Sequence, residues 1–184
     1  MKKYWFVIAI LFLFACKKEI APRPYGYFRV DLPTHDYVVY DSMATYGFDI
    51  SRFACVEKKR TSQNIDIHYP AIDGTIYCTY ETFEKGDFYK VSEESRTLAY
   101  KHVIRAEAIT ERVFVNEEEK VYGILYDFKG NAASPVQFFL TDSLHQYFRG
   151  SLYFNARPNA DSIAPMMTFV REDIVRLIES FKWK

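Results

Sequence analysis

Residues 120–128 carry apolar side chains on both faces of an extended chain, with Tyr122, Ile124, Tyr126 and Phe128 on one and Val121, Gly123 and Leu125 on the other. Such a strand is buried on both sides only within a sheet covered above and below, so it is predicted to lie centrally in a layered domain. Around it, residues 109–115, 136–141 and 146–154 read as further strands, and Lys129-Gly130-Asn131 supplies a turn. An earlier series reads the same way over 26–32, 37–41, 48–58, 65–69 and 74–82, punctuated by Pro33, Pro70 and Asp73-Gly74. In 146–154, Phe148, Gly150, Leu152 and Phe154 alternate with Tyr147, Arg149, Ser151 and Tyr153, which predicts one solvated, semi-polar face.

Two segments have helical periodicity. Phe88, Val91, Ser95, Leu98, His102 and Ala106 follow steps of three and four after Asp87, a helix-capping residue type. Ile163, Met166, Met167, Val170, Ile174, Leu177, Ile178 and Phe181 do likewise, opposite Arg171, Glu172, Asp173, Arg176, Glu179 and Lys182. That second helix is predicted to start at Asp161 or Ser162, with Pro165 in its first turn. The fold class is α+β: one domain, a largely antiparallel sheet with two helices packed on it. Its element order is similar to that of small exported domains of the Mog1/PsbP type, an analogy that carries no function.

The amino-terminal segment limits where the chain resides. Lys2 and Lys3 precede an uncharged apolar run over 4–15, followed by Cys16, the pattern of a cleaved signal peptide. As a helix this run spans about 18 Å against a hydrocarbon core of about 30 Å, too short for a permanent span. Leu13, Ala15 and Cys16 match a bacterial lipobox, with Phe14 bulkier than usual, so Cys16 is the candidate lipidation site. Acylation there would anchor the protein at about 0.8 kcal/mol per buried methylene. The expected organisation is a signal peptide over 1–15, a lipidated tether over 16–24 stiffened by Pro22 and Pro24, and one domain over 25–184.

Charge and motifs exclude several function classes. Lys plus Arg and Asp plus Glu are equal at 24 each, which leaves no excess of positive charge for a nucleic-acid backbone. His35, His68, His102 and His145 stand singly, and neither metal-ligand spacings nor a Gly-rich phosphate loop appear, so no metal or cofactor is expected. His102 falls on an apolar stripe, where a satisfied core histidine is the plainer reading. Asp142-Ser143-Leu144-His145 has the residue types of a catalytic triad crowded into one turn, where turn chemistry explains them better. Glu117-Glu118-Glu119 reads as an exposed turn whose charges need no partner. Cys55 and Cys78 are either a disulfide, which export would permit, or two small hydrophobes. Tyr147, Arg149, Tyr153, Asn155, Arg157, Asn159 and Asp161 form a candidate partner surface, or else simply connect a strand to a helix.

Longer strings point to a family. The lipobox, Pro24-Tyr25-Gly26-Tyr27-Phe28-Arg29-Val30-Asp31-Leu32-Pro33, Asp73-Gly74-Thr75-Ile76-Tyr77 and Ser95-Arg96-Thr97-Leu98-Ala99-Tyr100-Lys101-His102 resemble the gliding motility lipoprotein GldD family. So do Val121-Tyr122-Gly123-Ile124-Leu125-Tyr126-Asp127, Lys129-Gly130-Asn131-Ala132 and Arg149-Gly150-Ser151-Leu152-Tyr153-Phe154-Asn155-Ala156, in the same order and spacing. The resemblance implies a lipid-anchored, non-enzymatic envelope protein that faces the periplasm and binds other components of the gliding and type IX secretion machinery. It brings no catalytic residues. The competing expectation is an exported enzyme or small-ligand binder with a pocket between sheet and helices.

Overall fold

The computed structural model describes residues 31–60, 62–84, 86, 89, 93, 97, 106–155 and 160–184. The strands are β1 (Tyr37–Tyr40), β2 (Tyr46–Ser51), β3 (Cys55–Lys58), β4 (Ile65–Tyr69), β5 (Gly74–Thr82), β6 (Ala106–Asn116), β7 (Val121–Gly130), β8 (Val136–Thr141) and β9 (Gln146–Phe154). Helix α1 (Ala160–Ser180) follows, then the two-residue strand β10 (Lys182–Trp183). They form a seven-stranded sheet of order β3-β4-β5-β9-β8-β7-β6 and a three-stranded sheet of order β1-β2-β10. All the pairings are antiparallel.

The main core lies where the inner face of the large sheet meets α1 and the small sheet. Ile65, Ile67, Ile76, Leu125, Leu140 and Leu152 from the large sheet pack there with Val170, Ile174, Leu177 and Ile178 of α1 and Tyr46, Phe48 and Ile50 of β2. The two-faced strand behaves as its pattern requires. Val121 and Leu125 of β7 enter this core, while Tyr126 and Phe128 enter a second cluster on the outer face with Ala132, Phe139 and Tyr147. β7 is interior between β6 and β8, although the middle of the sheet belongs to β9.

Four sequence expectations need correction. The described residues hold one continuous helix where two were expected packed on the sheet; the other, over 88–106, falls outside them apart from Tyr89, Glu93, Thr97 and Ala106. Residues 48–58 are not one strand: a turn at Arg52–Ala54, closed by the Ala54 N–H donating to Ser51 O at 3.0 Å, carries the chain from the small sheet to the edge of the large one. Continuous β propensity cannot report a change of sheet. The outer face of β9 is not uniformly solvated, because Tyr147 is buried against Phe139 with ring centroids 5.6 Å apart. Helix α1 begins before Asp161, which puts Pro165 beyond the first turn, where its ring removes an interior hydrogen bond.

Two glycines set the spacing of the large sheet. Gly150 pairs with Phe138 and Gly123 with Leu140, so a flat strand position lies under a large side chain in each case. A Cβ at Gly150 would run into the Phe138 ring, and one at Gly123 into the Phe139 carbonyl, well inside contact distance. Gly150→Ala is expected to cost about 1–3 kcal/mol by overpacking, and Gly123→Ala more, since backbone cannot rotate aside. Urea melts of the two variants against wild type check this.

Candidate functional site

The most elaborate polar cluster is at the start of the described chain. His35 precedes β1 and stacks on Phe169 of α1 with ring centroids 4.4 Å apart. Its Nδ1 lies 2.7 Å from Asp173 Oδ1 and its Nε2 2.8 Å from Glu172 Oε2. Asp173 is 3% exposed and also accepts from the Tyr69 hydroxyl at 3.0 Å. Burial, reinforced by Asp173, pushes the Tyr37 and Tyr69 phenols up, so both stay protonated donors. Next to it, the Arg52 side chain donates to Asp36 at 2.6 Å. The arrangement holds an extended segment onto a helix. It has no nucleophile poised beside a base, so its chemistry is that of a clamp.

This cluster escapes a reading by helical face, which places Asp173 among the exposed charges. The legible signal is its spacing: Asp173 stands four residues after Phe169 and four before Leu177, both buried. His35 carries no local signal, since its partners are 137 and 138 positions away in sequence.

A second feature is a groove of about 570 Å³ between the first half of α1 and the ends of β6 and β7. Phe128, Pro135, Ile163 and Met167 supply apolar walls, and Lys129 and Asp161 also line it. Its floor includes the Arg171 guanidinium, which donates from two nitrogens to Asp127 at 2.7 and 2.8 Å. That pair fixes the groove while leaving its walls able to take an apolar group of small-molecule size.

The candidate partner surface does not hold together as one patch. Tyr147 is buried in the outer cluster. Arg149 and Tyr153 share the outer face of β9, where Tyr153 meets the exposed Tyr77 edge-on at 5.7 Å. Asn155 is tied to Asp73 by its backbone N–H at 2.9 Å and its Nδ2 at 3.1 Å. Asp161 belongs to the groove. Arg157, Asn159, His102 and Cys16 lie outside the described residues.

Other expectations resolve locally. Cys55 is exposed and Cys78 buried, and both are unbridged. Cys55 pairs with His68 of β4 and Cys78 with Ile65 of β4, so the two are separated by an intervening strand and offset by three residues along it, on the order of 14 Å and beyond disulfide reach. Glu119 does have a partner, Lys182 at 2.6 Å. His68 faces Thr75 at 3.1 Å and Glu57 at 3.4 Å on the outer face. Among the described residues no three His, Cys, Asp or Glu side chains converge as a metal site. Asp142 is a turn builder, with Oδ1 accepting the N–H groups of Leu144, His145 and Gln146 at 2.8 to 2.9 Å.

The family model "Gliding motility lipoprotein GldD" matches residues 17–183. The chain belongs to that family. Membership in the GldD family carries a gliding motility role and anchoring by lipid to a membrane of the cell envelope. No described helix is long and apolar enough to cross a membrane. A search of curated proteins found no match. The solution structure of cyanobacterial PsbP (CyanoP) from Synechocystis sp. PCC 6803 is similar at TM-score 0.46 and 9% identity, over 88% of this chain and 99% of that chain. A likeness that slight carries no argument, and the architecture stands on its own strand order.

Asp173→Ala should destabilise the domain by about 2–4 kcal/mol, because Tyr69 and His35 lose their acceptor, while Asp173→Asn should cost less. Chemical denaturation of both variants tests this. A second expectation concerns Asp142. Burial alone would raise its carboxyl, but the backbone donors Gln146, His145 and Leu144 outweigh burial and hold it below its ordinary range. Its contribution is therefore complete above about pH 4 and lost as pH falls through the lowered native value. Asp142→Ala should cost about 1–2 kcal/mol at neutral pH and flatten the acid limb of the stability profile, measured by urea melts from pH 7 to pH 2.

Proposed function

We propose that this chain acts without catalysis, as a lipid-anchored assembly component of the gliding machinery linked to type IX secretion, attached through Cys16 and facing the periplasm. The observation that carries this reading is the family match over residues 17–183, which begins directly after Cys16. Two features of the fold support it. The clamp holds the first described segment onto α1, as a tethered domain needs, and the clustered polar groups are engaged with one another and not converged on a vacant reaction centre. In a deletion strain, wild type should restore gliding and secretion, whereas Cys16→Ala should leave the protein in the soluble fraction and fail to restore either. Normal gliding without the protein would overturn the role.

A second reading rests on the groove beside Arg171 and Asp127, which has the size of a small-molecule site. On that reading the protein is an exported ligand binder. Met167→Trp, which fills the groove, should leave gliding unchanged under the assembly reading and abolish it under the ligand reading; a motility assay with folding checked by circular dichroism separates them.

A further inference from the structure

The turn between β6 and β7 and the last turn of α1 flank a groove of about 360 Å³. Phe114, Val121 and Ile178 give it apolar walls, and Glu117, Glu118 and Glu179 are the charged groups that line it. Both walls are fixed. Lys182 holds Glu119 at 2.6 Å and the Trp183 indole donates to the Lys120 carbonyl at 3.2 Å, which fastens the turn to β10. Arg112 crosses from β6 to Glu179 at 3.5 Å and lies over the Phe114 ring, 4.5 Å from its centroid.

The charge on this groove is not balanced from within. Arg112 answers Glu179, and Lys182 is bonded to Glu119, with Glu118 acting on it only at longer range. The Glu117 and Glu118 side chains are exposed and have neither a hydrogen bond nor an ion pair among the described residues. The last turn of α1 contains no basic residue, so the carbonyl end of a 21-residue helix adds partial negative charge at the wall formed by Ile178 and Glu179. Arg112 displays the chemistry this surface favours: a cation over an aromatic face with a carboxylate alongside.

We propose that this groove docks a Lys or Arg side chain of another protein, with its methylene stem on Phe114 and Ile178 and its charged head against Glu117 and Glu118. A long basic side chain suits such a site because it covers apolar surface with its stem while its head stays in water. Other cations fit less well. Among the described residues no three His, Cys, Asp or Glu side chains converge to hold a metal ion. A free amine would be held by exposed carboxylates alone, and exposed ion pairs are worth little, whereas a side chain arrives with the other contacts of its protein. An acidic rim also repels an anionic lipid surface. The site stands apart from the motility role: normal gliding in the deletion strain would overturn that role and leave the docking site untouched.

The test places the photocrosslinker p-benzoylphenylalanine at Val115, which lines the groove and is 60% exposed, and at the exposed Tyr77 on a distant strand as a control, in the full-length chain expressed in its native cells. Irradiation should capture one different protein from position 115 and not from 77. Glu117→Gln with Glu118→Gln should lower that yield by about fivefold, in a protein whose circular dichroism and melting match wild type. Changing the Lys or Arg nearest the adduct in the captured protein to Glu should lower it as much. Combining that change with Glu117→Lys and Glu118→Lys should restore it. No adduct above the Tyr77 control, an adduct with another copy of this chain, a yield unmoved by the paired Gln substitutions, or exchanged charges that fail to restore capture would overturn the proposal.

Discussion

The packing of four rings holds the two sheets and the helix in one relation. Tyr46 and Phe48 of β2, Phe148 of β9 and Phe181 at the end of α1 are all buried, with Phe148 5.1 Å from Phe181 and 4.8 Å from Tyr46 between ring centroids. The four rings come from β2, β9 and the junction after α1, so none of these three can shift without opening contacts with the other two. Such pairs contribute about 0.5–1.5 kcal/mol each beyond the area they bury. The buried Tyr46 hydroxyl is satisfied by the Gln63 carbonyl at 2.6 Å, which ties the cluster to the start of β4. Phe181 further packs edge-on against Trp183 at 4.7 Å, which helps explain how a two-residue strand, β10, can hold the edge of the small sheet.

Much of this was legible in local sequence. β4, β5, β8 and β9 have the bounds their composition predicts because turn residues stand at their ends: Pro70 and Asp73-Gly74 between β4 and β5, and Asp142-Ser143 between β8 and β9. Asp73 and Ser143 adopt positive φ of 48° and 63°, a conformation that Asp readily accepts and that closes a strand. β7 announced its buried position through two apolar faces. The break between β2 and β3 was not legible, since Arg52, Phe53 and Ala54 contain no strong turn former, and the change of sheet depends on what each half meets. β10 is too short for any period to show.

The candidate site was less legible than the fold, for a related reason. Hydrophobic periodicity reports which face of an element is buried, but not which buried polar group has found a partner from a distant segment. Asp173 counts as a charge on a helical face until His35 and Tyr69 arrive from two other parts of the chain. Conversely, Tyr147, grouped by sequence with Arg149 and Tyr153 as a contact surface, is claimed by Phe139 and the outer cluster. Cys55 and Cys78, alike as residue types, were separated by the sheet register that places one at an exposed edge and the other in the core.

The charged side of α1 then takes on a mechanical sense. Its polar residues do not all face water; several reach a different strand each. Asp173 accepts from Tyr69 in β4, Arg176 donates to Asp49 in β2 at 2.5 Å, Arg171 donates to Asp127 in β7, and Glu179 receives Arg112 from β6. An isolated exposed ion pair is worth little, but bonds from one rigid helix to four strands resist displacement of the helix in several directions. Into the middle of this brace the clamp at His35 delivers the segment that precedes β1, and on the proposed attachment through Cys16 the membrane lies upstream of that segment. Tension on the tether would therefore reach α1 before it reached β1, and α1 would distribute it over both sheets. A four-residue strand such as β1 could not carry that load alone; a helix of 21 residues cross-linked to both sheets is much better placed to do so.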